Sequence, residues 1–279
     1  MSPIIKLSAP EKRGYWEIPI LYEDEHLLAL DKPSGLLSCP DRYNPERPNL
    51  MRLLHDGIKK PAVFAREHQL GYLANAHRLD FETTGIFLLA KAKPVLVALA
   101  DLFGADKPTK YYTALVQGVA EEASFEVDAA IAPHPTRPGV MRVVAKAGKK
   151  SITRFVVTER FERHTLIRCQ PLSGRTHQVR VHLHHYELPI VGDEAYGGRP
   201  LLLSRLKPHY RLKEGDVERP LISRVALHAE QLILPHPVTG ATITITSPLP
   251  KDLVVALKYL RRYTLPGQAE PVVEDPLSP

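Results

Sequence analysis

The chain has 279 residues, 44% hydrophobic and 24% charged, which are ordinary proportions for a soluble globular protein able to bury a sizeable core. Lys and Arg exceed Asp and Glu by 37 to 31, a formal charge of +6, which favours a polyanionic partner without requiring one. No apolar run reaches the ~20 residues of a membrane span, the N-terminus lacks the apolar core of a secretory signal, and Cys39 and Cys169 stand in no metal-ligand or redox spacing, so a reduced, cytoplasmic protein is expected.

In chain order, residues 1–17, punctuated by Pro3 and Pro10, read as an extended arm, with regular structure beginning near residue 18. Ile18 to Leu30 reads as two short strands around the acidic turn Glu23-Asp24-Glu25, followed by a loop at Asp31-Lys32-Pro33-Ser34-Gly35. Residues 36–76 are polar and irregular apart from a helix at 50–58. Gly85 to Ala90 is a buried strand, 95–103 a helix, and Lys110 to Val116, rich in aromatic and β-favouring residues, a strand. Further strands are expected at 153–158, 165–169, 226–234 and 242–247, and a last helix at 251–263. Strands outnumber helices without alternating with them, which predicts an α+β fold around a mixed, largely antiparallel sheet flanked by helices and loops. Residues 18–265 form one domain in this reading, and the Pro-rich, acidic stretch 266–279 is a disordered tail.

Two segments carry chemistry. In His77-Arg78-Leu79-Asp80-Phe81-Glu82-Thr83-Thr84-Gly85 a carboxylate follows a basic pair and precedes a strand, so a loop can hold one acid against a rigid sheet; a salt bridge at a strand end is the plainer reading. Ser173 to Leu183 concentrates donors in Arg175, Thr176, His177, Gln178 and Arg180, while Val179, Val181 and Leu183 look like core anchors. A solvated basic face is the alternative there.

Taken in order, these segments resemble the RluA-like family of pseudouridine synthases. The resemblance runs from about Ile18 to Asp252 through Lys32-Pro33-Ser34-Gly35, the His-Arg-Leu-Asp segment, Lys110-Tyr111-Tyr112, and Gly174 to Leu183. It continues through Gly192-Asp193-Glu194-Ala195-Tyr196-Gly197, Leu227-His228-Ala229-Glu230 and His236-Pro237-Val238-Thr239-Gly240. It implies the pseudouridine synthase catalytic fold and isomerisation of uridine in ribosomal or transfer RNA, with Asp80 as nucleophile and Tyr112 and Arg180 as its catalytic companions. His77, Arg78, Lys110, Arg175, His177 and Gln178 are the expected RNA contacts. Thr83-Thr84-Gly85 stands where the family often has Thr-Ser-Gly, and no separate RNA-binding module is expected before the first strand.

Breaking N1–C1′ and joining C5–C1′ is redox-neutral, so no cofactor is demanded. A carboxylate can attack C1′ or C6, or assist loss of a C2′ proton toward a glycal. Arg180 is the candidate for keeping Asp80 ionised, Tyr112 for stacking on the extruded base, and Arg78 for a neighbouring phosphate. His182, His184 and His185, with His177 nearby, are read as surface or RNA-facing rather than as a metal site, since no cysteine joins them. Gly198–Arg224, with Arg199, Arg205, Lys207, Arg211, Lys213, Arg219 and Arg224, is expected to be a basic insertion that contacts RNA or is a solvated loop. A monomer is the default. The competing functions are a non-catalytic RNA-binding protein of the same fold and a glycoside hydrolase pairing Asp80 with Glu82 or Asp193.

Overall fold

The computed structural model describes residues 3–9, 14–41, 44–213 and 215–264; the tail expected at 266–279 lies outside the described residues. In chain order the elements are β1 (Ile4–Ala9), β2 (Gly14–Glu23), β3 (Leu27–Lys32), α1 (Leu50–Lys59), α2 (Val63–Glu67), β4 (Ala74–Asn75), β5 (Thr84–Ala90), α3 (Lys93–Gly104) and β6 (Thr109–Gln117). They continue with β7 (Ser124–Asp128), β8 (Ala130–Pro133), β9 (Met141–Val144), β10 (Ile152–Arg160), β11 (His164–Pro171), α4 (Gln178–His185), β12 (Leu227–Pro235), β13 (Thr242–Thr246) and α5 (Lys251–Tyr263). The described residues form two compact units, one within Met1–Lys110 and Ala229–Pro248, the other within Tyr111–His228 and Leu249–Pro279. Both interleave along the chain, so no linear change of composition marks a boundary between them.

In the first unit the sheet order is β1-β2-β3-β5-β12, with β13 on β12 and β4 on β5. All seven residues of β5 are buried. Alternation explains why: Phe87 and Leu89 face a core with Ile5, Ile18, Leu50 and Leu54, while Ile86 and Leu88 face another with Val95, Leu99, Leu232 and Ile245. Regular structure begins at Ile4, not near residue 18, because β1 pairs antiparallel with β2 from Ile4↔Pro19 to Ala9↔Gly14 and sends Ile5 and Leu7 into the core. The stretch 36–76 is also more ordered than its polarity suggests. Its helix α1 begins where the Asn49 side chain accepts from the Arg52 amide at 2.9 Å, and α2 and β4 follow.

In the second unit the order is β6-β11-β10-β7, antiparallel throughout. Its core joins Ala114, Val116, Phe155 and Ile167 of these strands to Val179 and Leu183 of α4 and to Leu253, Leu257 and Leu260 of α5. The β8–β9 hairpin packs Ile131 and Met141 against Val181 and Tyr196. Arg224, counted among the basic residues of the insertion, is a structural residue. Its guanidinium grips Asp252 through Nε and Nη2 at 2.8 and 2.9 Å and donates to the Val225 and Leu227 carbonyls, leaving it 6% exposed.

Candidate active site

In the first unit the loop that carries Asp80 is fastened on both sides of that residue. Ser38 Oγ donates to the Leu79 carbonyl at 2.8 Å and accepts from the Leu79 amide at 3.1 Å. One residue past Asp80, the Phe81 carbonyl accepts from Lys32 Nζ at 3.2 Å and from the Gly35 amide at 3.1 Å. Lys32 is fully buried and also donates to the carbonyls of Leu36 at 2.8 Å and Pro33 at 2.9 Å. A buried ammonium is tolerated only when oxygens replace its hydration, and here the carbonyls of two loops do so. The turn needs Gly35 because its φ is +75°, where a Cβ is strained. Asp80 itself is half-buried and Arg78 is exposed, so the fastened backbone presents both side chains outward.

Gly85 fixes the other end of this loop. Its φ is +107°, and a Cβ there would lie 2.2 Å from the Ala229 carbonyl oxygen, so β5 starts in direct backbone contact with β12. His77 lies on the inner side. Its ring stacks on Phe103 at 5.0 Å, and Nε2 accepts from the Leu88 amide at 2.9 Å. Burial, aided by the charge of Lys110, pushes its pKa down to about 4. A neutral ring with one nitrogen committed to β5 braces the loop.

In the second unit, Tyr112 is half-buried on β6 opposite Cys169 of β11. Arg180 lies on α4, buried, with Nε 2.7 Å and Nη2 2.8 Å from the two oxygens of Asp193, which is 1% exposed. Tyr196 lies under the guanidinium, its ring centroid 5.0 Å from Cζ, and its hydroxyl accepts from the Met141 amide and contacts His177 Nδ1, both at 2.8 Å. A buried arginine needs an acid, and the Gly192-Asp193 turn supplies it. Sequence reasoning met Asp193 within a family motif, and gave it a chemical role only as a possible second carboxylate for sugar hydrolysis. Its engagement by Arg180 takes it out of general acid–base work and weakens that alternative.

The expected RNA contacts in this unit separate. Arg175 is exposed and His177, in a left-handed turn at φ 55°, is partly so. Gln178 is 4% exposed, with Oε1 accepting from Ser173 Oγ and the Arg175 amide and Nε2 donating to the Ile152 carbonyl and Thr153 Oγ1. It therefore braces the start of α4 and is not offered to RNA. His182, read from sequence as surface or RNA-facing, is fully buried. Its Nε2 meets the Ala129 carbonyl at 3.1 Å and its Nδ1 meets Thr153 Oγ1 at 2.9 Å, and burial lowers its pKa. His184 and His185 are exposed.

Among the described residues, no helix is long and apolar enough to cross a membrane. The sequence matches the family model described as RNA pseudouridylate synthase over residues 26–185. It is 38% identical over 259 residues to the ribosomal large subunit pseudouridine synthase D of Pseudomonas aeruginosa, covering 90% of this chain and 76% of that protein. With the protein of the same name from Xanthomonas campestris the identity is 36% over 245 residues, covering 87% and 69%. The solved structure of human RNA Pseudouridylate Synthase Domain Containing 4 is similar at a TM-score of 0.64 and 27% identity, covering 87% of this chain and 92% of that one. With the family's motifs in order along the chain and its fold around them, this chain belongs to the RNA pseudouridylate synthase family, in its RluA-like branch, and is an isomerase acting on uridine in RNA.

Proposed function

We propose that the protein isomerises specific uridines of ribosomal RNA to pseudouridine, with Asp80 as the nucleophile. The observation that carries the assignment is the fastening of the backbone at Leu79 and Phe81, which holds the intervening carboxylate in place while leaving it half-open. Positioning of this kind is what a nucleophile requires, since reacting groups must be held close to attack geometry. Tyr112 and Arg180 are the proposed catalytic companions of Asp80, Tyr112 offering a flat ring for the extruded uracil. Arg78, exposed beside Asp80, suits a phosphate next to the flipped nucleotide. The names of the two bacterial relatives favour the large-subunit ribosomal RNA as substrate over transfer RNA. The protein is expected to act as a monomer in the cytoplasm.

The test is release of tritium from RNA carrying the label at uracil C5. The protein releases tritium from a large-subunit ribosomal RNA transcript, and Asp80→Asn reduces the rate at least 10³-fold in protein that circular dichroism shows to be folded. Residual turnover above one per cent in a folded Asp80→Asn variant would refute the nucleophile, and release from transfer RNA alone would refute the substrate.

A further inference from the structure

The second unit contains a cleft of about 710 Å³ whose lining includes neither Asp80, Tyr112 nor Arg180. Its floor is apolar, with Phe161, Leu201 and Leu260 buried and Tyr263 partly exposed beside them. Its rim is cationic: Arg163, Arg199, Arg205 and Lys207 are all exposed, against one carboxylate, Glu162, which lies 3.4 Å from Arg163. Burial pushes the pKa of His164, also in the lining, down to about 4, so this ring adds no charge near neutrality.

The segment that supplies most of the rim is built into the fold. Gly198 passes so close to Ile190 that a Cβ would lie 1.9 Å from the Ile190 oxygen. The Arg199 amide donates to Gln117 Oε1 at 3.1 Å, and its carbonyl accepts from Gln117 Nε2 at 3.2 Å and the Gly192 amide at 3.0 Å. Leu201 is bridged to Ile222, and the Ser204 amide donates to Glu218 at 2.7 Å. With its main chain so fixed, the segment holds its cations apart without pairing them: Arg199, Arg205 and Lys207 make no ion pair among the described residues.

We infer that this cleft binds a single-stranded nucleotide of the substrate RNA other than the uridine that reacts, its phosphates on Arg199, Arg205 and Lys207 and its base against Tyr263 and the apolar floor. The volume falls in the range of about 300–1,000 Å³ usual for small-ligand sites, and cations beside an aromatic face are how proteins hold single strands. An acidic peptide would satisfy the charges but make no use of Tyr263, whose ring also stacks on Tyr259 at 6.2 Å and lies 5.7 Å from the Arg262 guanidinium. The inference rests on RNA being the substrate and is independent of the role of Asp80.

The experiment compares the full-length protein with R205E/K207E and with K59E/K60E, a charge-matched control at the end of α1. Binding of a labelled large-subunit ribosomal RNA transcript is measured by filter retention, which needs no turnover, and KM and kcat by tritium release. R205E/K207E should weaken binding tenfold or more, raise KM and leave kcat at saturating RNA within twofold. It should also lower the slope of log affinity against log salt by roughly 1.4, for two single-strand phosphates. Tyr263→Ala should weaken binding about fivefold or more with the slope unchanged. Unchanged affinity in R205E/K207E, an equal loss in K59E/K60E, or preference for polyglutamate over RNA at this cleft would each overturn the inference.

Discussion

Lys32→Met tests whether the support beneath Asp80 is structural in the way its geometry implies. Methionine keeps the length of the stem but removes the ammonium that donates to Leu36, Pro33 and Phe81 at 2.8, 2.9 and 3.2 Å. Hydrogen bonds from a charged group contribute about 1.5–3 kcal/mol each, so three amount to roughly 5–9 kcal/mol. Against this stands the several kcal/mol of desolvation that a buried ammonium carries in the wild type. Methionine leaves no buried charge, only carbonyls deprived of their donor, so the net loss should be about 2–4 kcal/mol out of a typical total of about 5–15. The effect on catalysis is separable. Phe81 keeps its bond from the Gly35 amide and Leu79 keeps Ser38, so the loop loosens on one side only. A displacement of about 1 Å can lower a rate about 10²-fold, so kcat should fall by that order in the folded fraction while RNA affinity holds. Urea unfolding followed by circular dichroism gives the first quantity and tritium release the second. Stability within 1 kcal/mol of wild type together with kcat within threefold would refute the reasoning.

Gly85→Ala should destabilise by about 3 kcal/mol or more in the same urea assay, since it adds left-handed strain to a contact with the Ala229 backbone that cannot yield. Arg224→Met should cost about 3 kcal/mol by stranding Asp252 and the carbonyls it serves, yet leave the affinity of the folded protein for RNA unchanged by filter retention. The protein should also be acid-sensitive in a defined window. His77 and His164 have pKa values of about 4 against 6.5 for the free group, so both are held neutral by folding. Their contribution is complete above pH 6.5 and is lost as pH falls through about 4, on the order of 3 kcal/mol each. His164→Leu should flatten the dependence of the urea midpoint between pH 6.5 and 4. It should cost little at pH 7, because Nδ1 of His164 is buried without a partner among the described residues. An unchanged acid slope would show that His164 does not titrate as stated.

Elements with a local signature were legible in sequence. The apolar run of β5, the aromatic β6, the β12–β13 hairpin and α5 all form where periodicity and punctuation place them. The helix α4 was not. Val179-Arg180-Val181-His182-Leu183 alternates as a strand would, yet every residue from Gln178 to Leu183 is buried, so no polar face exists to reveal a helical period. The strand β1 was hidden by its short, proline-flanked sequence, since its pairing with β2 is a tertiary fact. The same holds at the site. The motif marks Asp80 as the candidate nucleophile, but that Ser38 and Lys32, distant in sequence, fasten its neighbours is a product of folding.

The partners of the motif residues show how the catalytic sequence is organised. Lys32-Pro33-Ser34-Gly35 fastens the loop beyond Asp80, and Leu227-His228-Ala229-Glu230 supplies the backbone on which Gly85 rests. His236-Pro237-Val238-Thr239-Gly240 closes its own turn, with Nδ1 accepting the Val238 and Thr239 amides and Nε2 3.1 Å from Asp24. Gly192-Asp193 holds Arg180. Each of these four motifs supplies a bracing contact, which explains why a succession of short motifs identifies the fold more sharply than any one of them. A carboxylate placed on a loop would ordinarily move with it. Here the acid is a loop residue with the backbone constraints of a strand, because donors from elsewhere in the chain fix its neighbours on both sides. On that reasoning, loss of Lys32 or Ser38 should act on kcat, whereas loss of Arg205 and Lys207 should act on KM. A kcat loss in the first group and a KM loss in the second would be the signature of the proposed division between presenting the nucleophile and gripping the RNA.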